Sequence, residues 1–132
     1  MPHVIVEYSA NLEDRVDMPA FCDKLRRAAI DTGVLPLPGV RVRAFPAVHV
    51  SIADGDPKHG FIDISVRLRG GRDLETRRRA TQQIFQAAQQ FLAPVMARYP
   101  VALSFEMRDI DPELSPKTGT IREHLKGTAD NE

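Results

Sequence analysis

Twice along this chain, residues that alternate at a period of two give way to helical spacing and then return to alternation. A period of two buries one face of a strand, whereas apolar residues three and four apart bury one stripe of a helix. In the first unit, Val4, Val6 and Tyr8 alternate with His3, Ile5 and Glu7, a strand that starts at Pro2. Residues 9–17 are polar and turn-like. Met18, Phe21, Cys22, Leu25, Ala28 and Ala29 then recur at helical spacing, with Asp17 placed to cap the helix and Pro19 tolerated in its first turn. Gly33 ends this helix, and Leu35-Pro36-Leu37-Pro38-Gly39 is a stiff connector. Val40, Val42 and Ala44 then alternate with Arg41, Arg43 and Phe45 in a second strand. Pro46 has no N–H for a central strand, so this strand lies at an edge or bends there before Val48, Val50 and Ile52 resume the alternation.

The second unit repeats the order. After the turn Asp54-Gly55-Asp56-Pro57, Ile62, Ile64, Val66 and Leu68 occupy one strand face and Asp63, Ser65, Arg67 and Arg69 the other. Gly70-Gly71-Arg72-Asp73 breaks the strand and opens a long helix with Asp73 as its cap; Leu74, Ile84, Phe85, Ala88, Phe91, Leu92 and Val95 trace the apolar stripe. Pro94 is expected to kink or end this helix near Ala93. Val101, Leu103, Phe105 and Met107 form the last main strand. The remainder reads as an extended tail with one helical turn, capped by Thr120 with Glu123 and carrying Ile121 and Leu125 on one face.

Two tandem βαβ units predict an α+β fold, an α/β two-layer sandwich. Right-handed crossovers place both helices on one face of a single mixed sheet. The opposite face carries Arg41, Arg43, Asp63, Ser65, Arg67, Glu106 and Arg108, so it is either solvated or packed against other subunits across a wet centre. Exposed edge strands invite pairing between chains, which favours an oligomer. At 132 residues the chain can build one core. It reads as a single domain over residues 1–126, with residues 127–132 a disordered tail.

Composition removes several function classes. Eighteen basic and 18 acidic side chains balance to zero, which leaves no general attraction for nucleic acid or an anionic membrane. The single cysteine, Cys22, permits no internal disulfide, is too few for a thiolate metal site, and suits a reducing compartment. No apolar run has the length of a membrane span, and the start lacks the pattern of a secretory signal, so the expected localisation is cytoplasmic. His3, His49, His59 and His124 show no metal-ligand spacing. Gly70-Gly71 lacks the spacing of a phosphate or dinucleotide loop. Cys22, on the apolar stripe of its helix, reads as a buried structural thiol. Arg77-Arg78-Arg79 fans around a helix and reads as a solvated face.

Three residues remain as candidates for chemistry. Removal of Met1 would leave Pro2 with a free secondary amine, the one kind of proline nitrogen that can take a proton; otherwise Pro2 is only a strand opener. Arg72 sits at a tight strand-to-helix corner, from which its side chain either enters a cleft or merely starts a helix. Arg41 follows Pro38-Gly39 at a strand start and reads as a ligand-directed or a solvated arginine.

Several segments carry a resemblance, in order and in register. They are Pro2-His3-Val4-Ile5-Val6-Glu7, Thr32-Gly33-Val34-Leu35-Pro36-Leu37 running into Gly39-Val40-Arg41-Val42-Arg43, Ala53-Asp54-Gly55, Gly71-Arg72-Asp73-Leu74-Glu75 and Ala102-Leu103-Ser104-Phe105-Glu106. Together they resemble the 5-carboxymethyl-2-hydroxymuconate Δ-isomerase family of the tautomerase superfamily, from Pro2 to about Leu125. The Gly-Arg pair before the second helix is also similar to that of the shorter oxalocrotonate tautomerase. The chain departs from the family pattern at Tyr8, where a smaller residue is usual, and at Asp73, which replaces a serine. Residues 45–51 match poorly, and the tail past Lys126 is extra.

The resemblance implies a homotrimer with sheets inward and helices outward, and sites near subunit interfaces. It implies that Pro2 is the catalytic base and that Arg41 and Arg72 hold a small-molecule carboxylate substrate, with no cofactor and no metal. The implied reaction, in aromatic (homoprotocatechuate) catabolism, moves a proton from the 2-hydroxydiene unit to a distant carbon, giving the 2-oxo isomer. An α-amine with a reference pKa of about 7.7–8.0, lowered further by burial and nearby arginines, is a fitting base. Arginine forks can hold the carboxylates and stabilise the developing dienolate. The alternatives are a tautomerase of another enol-keto acid, or a non-catalytic trimeric binding protein of the same fold.

Overall fold

The computed structural model describes residues 2–126; the readings of Met1 removal and of a disordered tail over residues 127–132 lie outside them. The order is β1 (His3–Ser9), α1 (Met18–Asp31), β2 (Arg41–Ala47), β3 (Gly60–Arg69), α2 (Leu74–Arg98) and β4 (Val101–Ile110). Short 3₁₀ turns cover Ala10–Leu12, Leu37–Gly39 and Ile121–His124. The strands form one mixed sheet in the order β2-β1-β3-β4. β1 and β2 are parallel, β3 and β4 are parallel, and β1 meets β3 antiparallel. These are the two βαβ units of the sequence, joined along their first strands.

Both helices cover the same face. Val4, Val6, Ile62, Ile64 and Val66 are fully buried there beneath Phe21 and Leu25 of α1 and Ile84, Ala88 and Leu92 of α2. The rings of Phe21 and Phe91 tie the helices together, 5.3 Å between centroids. Both caps form as read: Asp17 Oδ1 accepts from the Ala20 N–H at 3.0 Å, and Asp73 Oδ1 from the Thr76 N–H at 2.8 Å. Gly33, with φ of 75°, provides the left-handed turn after α1. Ser9, although fully buried, is satisfied: its Oγ accepts from the Phe61 N–H at 3.0 Å and donates to Asn11 Oδ1 at 2.7 Å.

The structure corrects six details. β2 is an edge strand, one of the two readings Pro46 left open, but Val48, Val50 and Ile52 form no strand. The reason is that β1 ends at Ser9, whose partner is Ala47, so no neighbour remains for the chain beyond it. Pro94 does not stop α2, which continues to Arg98. Burial of Leu92 and Val95 and the bond from the Tyr99 N–H to the Val95 carbonyl, 2.9 Å, hold the last turns in place. Leu74 is 58% exposed and lies outside the apolar stripe. Cys22 is half-buried rather than buried, and burial pushes its thiol pKa up. The turn after Thr120 is 3₁₀, and the Thr120 side chain makes no capping bond. The arginine triplet divides: Arg78 and Arg79 are exposed, while Arg77 is half-buried with Nη1 3.9 Å from Asp109 Oδ1.

Candidate active site

Pro2 is fully buried at the entry to β1. Parallel pairing sets His3 opposite Arg41, and the Arg41 N–H donates to the Pro2 carbonyl at 3.3 Å. This pairing brings two of the three sequence candidates together. Both line a cleft of about 260 Å³, walled by Pro36 and Pro38 of the stiff connector and closed by Lys117 and Ile121 from the C-terminal segment. Prolines fix φ and hold such a wall with little conformational freedom to lose. Arg41, Lys117 and Arg122 are the charged residues of the described lining. The cleft therefore suits an anion, with apolar surface beside it.

Arg72 is placed differently. Its Nε and Nη2 donate to the Val34 carbonyl at 3.1 and 2.9 Å, and Nη1 donates to the Arg69 carbonyl at 2.9 Å. The guanidinium thus clamps the corner after β3 to the start of the proline connector. It does not line the Pro2 cleft of its own chain. Sequence reasoning missed Lys117 and Ile121, because residues beyond Asp109 read as a tail. The signal available was the short turn after Thr120, which does bring Ile121 to the cleft mouth.

Next to Pro2, the Arg43 Nη1 lies 3.1 Å from His3 Nδ1. A guanidinium only donates, so Nδ1 accepts and the neutral ring carries its proton on Nε2. Burial, followed by the fields of Arg67, Arg43 and Arg41, holds the His3 pKa below its ordinary value. On the helix-facing side of β1, the Tyr8 hydroxyl donates to the Glu13 carboxylate; that bond, with burial, pushes the phenol up to about 12. Among the described residues, no group of three or more His, Cys, Asp or Glu side chains could hold a metal ion. No helix among them is long and apolar enough to cross a membrane.

Two parallel βαβ units joined antiparallel, with both helices on one face, define a protein of the tautomerase fold. A solved fused 4-OT, described as a symmetric trimer, shares this fold with a TM-score of 0.65 at 19% identity, over 88% of this chain and 93% of that one. Sequence then narrows the class. The 5-carboxymethyl-2-hydroxymuconate isomerase family model matches residues 2–125. The Escherichia coli 5-carboxymethyl-2-hydroxymuconate Delta-isomerase is 31% identical over 126 residues, covering 96% of this chain and 100% of the relative. A crystal structure of 5-carboxymethyl-2-hydroxymuconate delta-isomerase superposes with a TM-score of 0.88 at 33% identity, over 96% of this chain and 93% of that one. The chain belongs to the 5-carboxymethyl-2-hydroxymuconate isomerase family.

Proposed function

We propose that this chain isomerises 5-carboxymethyl-2-hydroxymuconate to its 2-oxo form in homoprotocatechuate catabolism, with the Pro2 amine as base. The observation that carries the reading is the position of Pro2, in a cleft whose described lining carries the cationic side chains of Arg41 and Lys117. Met1 removal frees the Pro2 nitrogen. The neutral amine takes the proton of the 2-hydroxyl group, the electron pair moves through the diene, and the same proton is returned to the far carbon. One O–H bond is broken and one C–H bond made, so the step needs no redox partner. Arg41 holds a substrate carboxylate and stabilises the dienolate as its charge develops.

Arg72 is the second proposed carboxylate-binding arginine. Because it does not line its own chain's cleft, that role requires a site completed across a subunit boundary. A homotrimer is consistent with the polar outer face of the sheet, with its open edges, and with Phe45 in β2 and Val48 just after it, which are 53% and 70% exposed.

The test is an ultraviolet assay of ketonisation for wild type and Pro2→Ala, together with the intact mass of each. Loss of a general base typically lowers the rate by about 10²–10⁴-fold. Equal rates, or full turnover with Met1 retained, refute the assignment.

A further inference from the structure

A cationic row crosses the whole outer face of the sheet. The register sets Arg41 and Arg67 on either side of His3 and Arg108 beyond Arg67, giving Arg41–His3–Arg67–Arg108 over all four strands. Like charges on neighbouring strands oppose one another. With 18 acidic side chains available, charge balance could have been local. It is not: of the three arginines, only Arg108 is paired among the described residues, with Nη2 donating to Ser65 Oγ at 3.1 Å and Nε 3.6 Å from Glu106 Oε1.

Beside this row lies a second cavity of about 120 Å³. His3, Arg67, Arg69, Ser115 and Lys117 line it, and among the described residues no carboxylate does. The hydrogen bond from Arg43 leaves His3 with a neutral Nε2–H donor, so the ring adds a donor without adding a further positive charge. Arg67, Arg69 and Lys117 have no acidic partner among the described residues. Lys117 also lines the Pro2 cleft, so it forms part of the wall between the two cavities.

We propose that this second cavity is a carboxylate subsite, in which Arg67, Arg69 and Lys117 hold a distal carboxylate of a molecule whose reacting end lies in the Pro2 cleft. The inference rests on the function proposed above and extends it. A muconate bearing a carboxymethyl group has three carboxylates, one more than the two arginines assigned above, Arg41 and Arg72, can each hold by a fork. A shared lysine lets one polyanion reach from one cavity into the other. The subsite selects for the number of carboxylates, and the Pro2 cleft for the reacting enol.

Binding of two unreactive probes, tricarballylate and glutarate, tests this by calorimetry at fixed ionic strength on the full chain. The wild type is expected to bind the triacid about tenfold or more tighter than the diacid, the scale of one charge-assisted hydrogen bond. In Arg67→Gln and Lys117→Gln that ratio should collapse toward one, and Lys117→Arg should restore it. Thermal melts and sizing establish that each variant is folded. A ratio unchanged in both glutamine variants overturns the subsite. Because binding is read without turnover, the two proposals fail separately. A Pro2-independent reaction with the triacid preference intact removes only the proposed base, and Pro2-dependent turnover with an unchanged ratio removes only the subsite.

Discussion

Replacing Arg72 with alanine separates two roles that the sequence leaves equal. The side chain makes three hydrogen bonds to backbone carbonyls, two of them to the single carbonyl of Val34. A hydrogen bond from a charged donor contributes about 1.5–3 kcal/mol net. The two bonds to Val34 share one acceptor and are partly buried, so they count as roughly one such interaction, about 2 kcal/mol. The bond to Arg69 is exposed and adds about 0.5 kcal/mol. The expected loss is therefore about 2–3 kcal/mol, which lowers the folding equilibrium constant by roughly 30- to 150-fold. With a urea m-value of about 1–3 kcal/mol/M, the midpoint should fall by about 0.7–3 M. The titration belongs at one fixed protein concentration, because an oligomer's stability depends on it. Arg72→Lys retains the charge but not the fork, and should recover less than half of the loss. A stability unchanged within about 0.5 kcal/mol, together with a collapse in turnover, would refute the clamp and leave Arg72 acting on substrate alone.

Two further outcomes follow from the same geometry. His3 has a folded pKa below the ordinary value of 6.5, so the folded chain binds fewer protons than the unfolded one; its contribution is fully present above pH 6.5 and is lost as pH falls through 6.5 toward the folded value. Stability measured from pH 8 down to pH 5 should therefore drop more steeply in wild type than in His3→Gln, and parallel curves would contradict the assignment. Gly60→Ala should destabilise by about 1–3 kcal/mol in thermal melts, since a Cβ there would lie 3.0 Å from Leu12 Cδ2 and from Ser9 Oγ, inside a buried hydrogen-bonded node. A melt within a degree of wild type would show that the node yields.

The sequence determined the order of elements, the helix caps and the two-layer arrangement. These are set by local physics: the period of apolar residues, the side-chain oxygens of Asp17 and Asp73, and the handedness of the crossovers. Pro46 even limited β2 to an edge or a bend, because a missing N–H is a property of the residue itself. Tertiary structure decided whatever depends on a partner. The alternation at Val48, Val50 and Ile52 is intact, yet β1 ends at Ser9 and offers nothing to pair with. Pro94 breaks helices in isolation, yet the burial of Leu92 and Val95 carries α2 past it. Pro2 and Arg41 were legible as candidates, and parallel pairing placed them in one cleft. Lys117 was not legible, because nothing in its neighbours says that the C-terminal segment folds back over the sheet. Nor could the sequence show that Arg72 clamps Val34, 38 residues away along the chain. A strand or helix is chosen by its own residues, whereas a charge receives its role from whatever the fold brings against it.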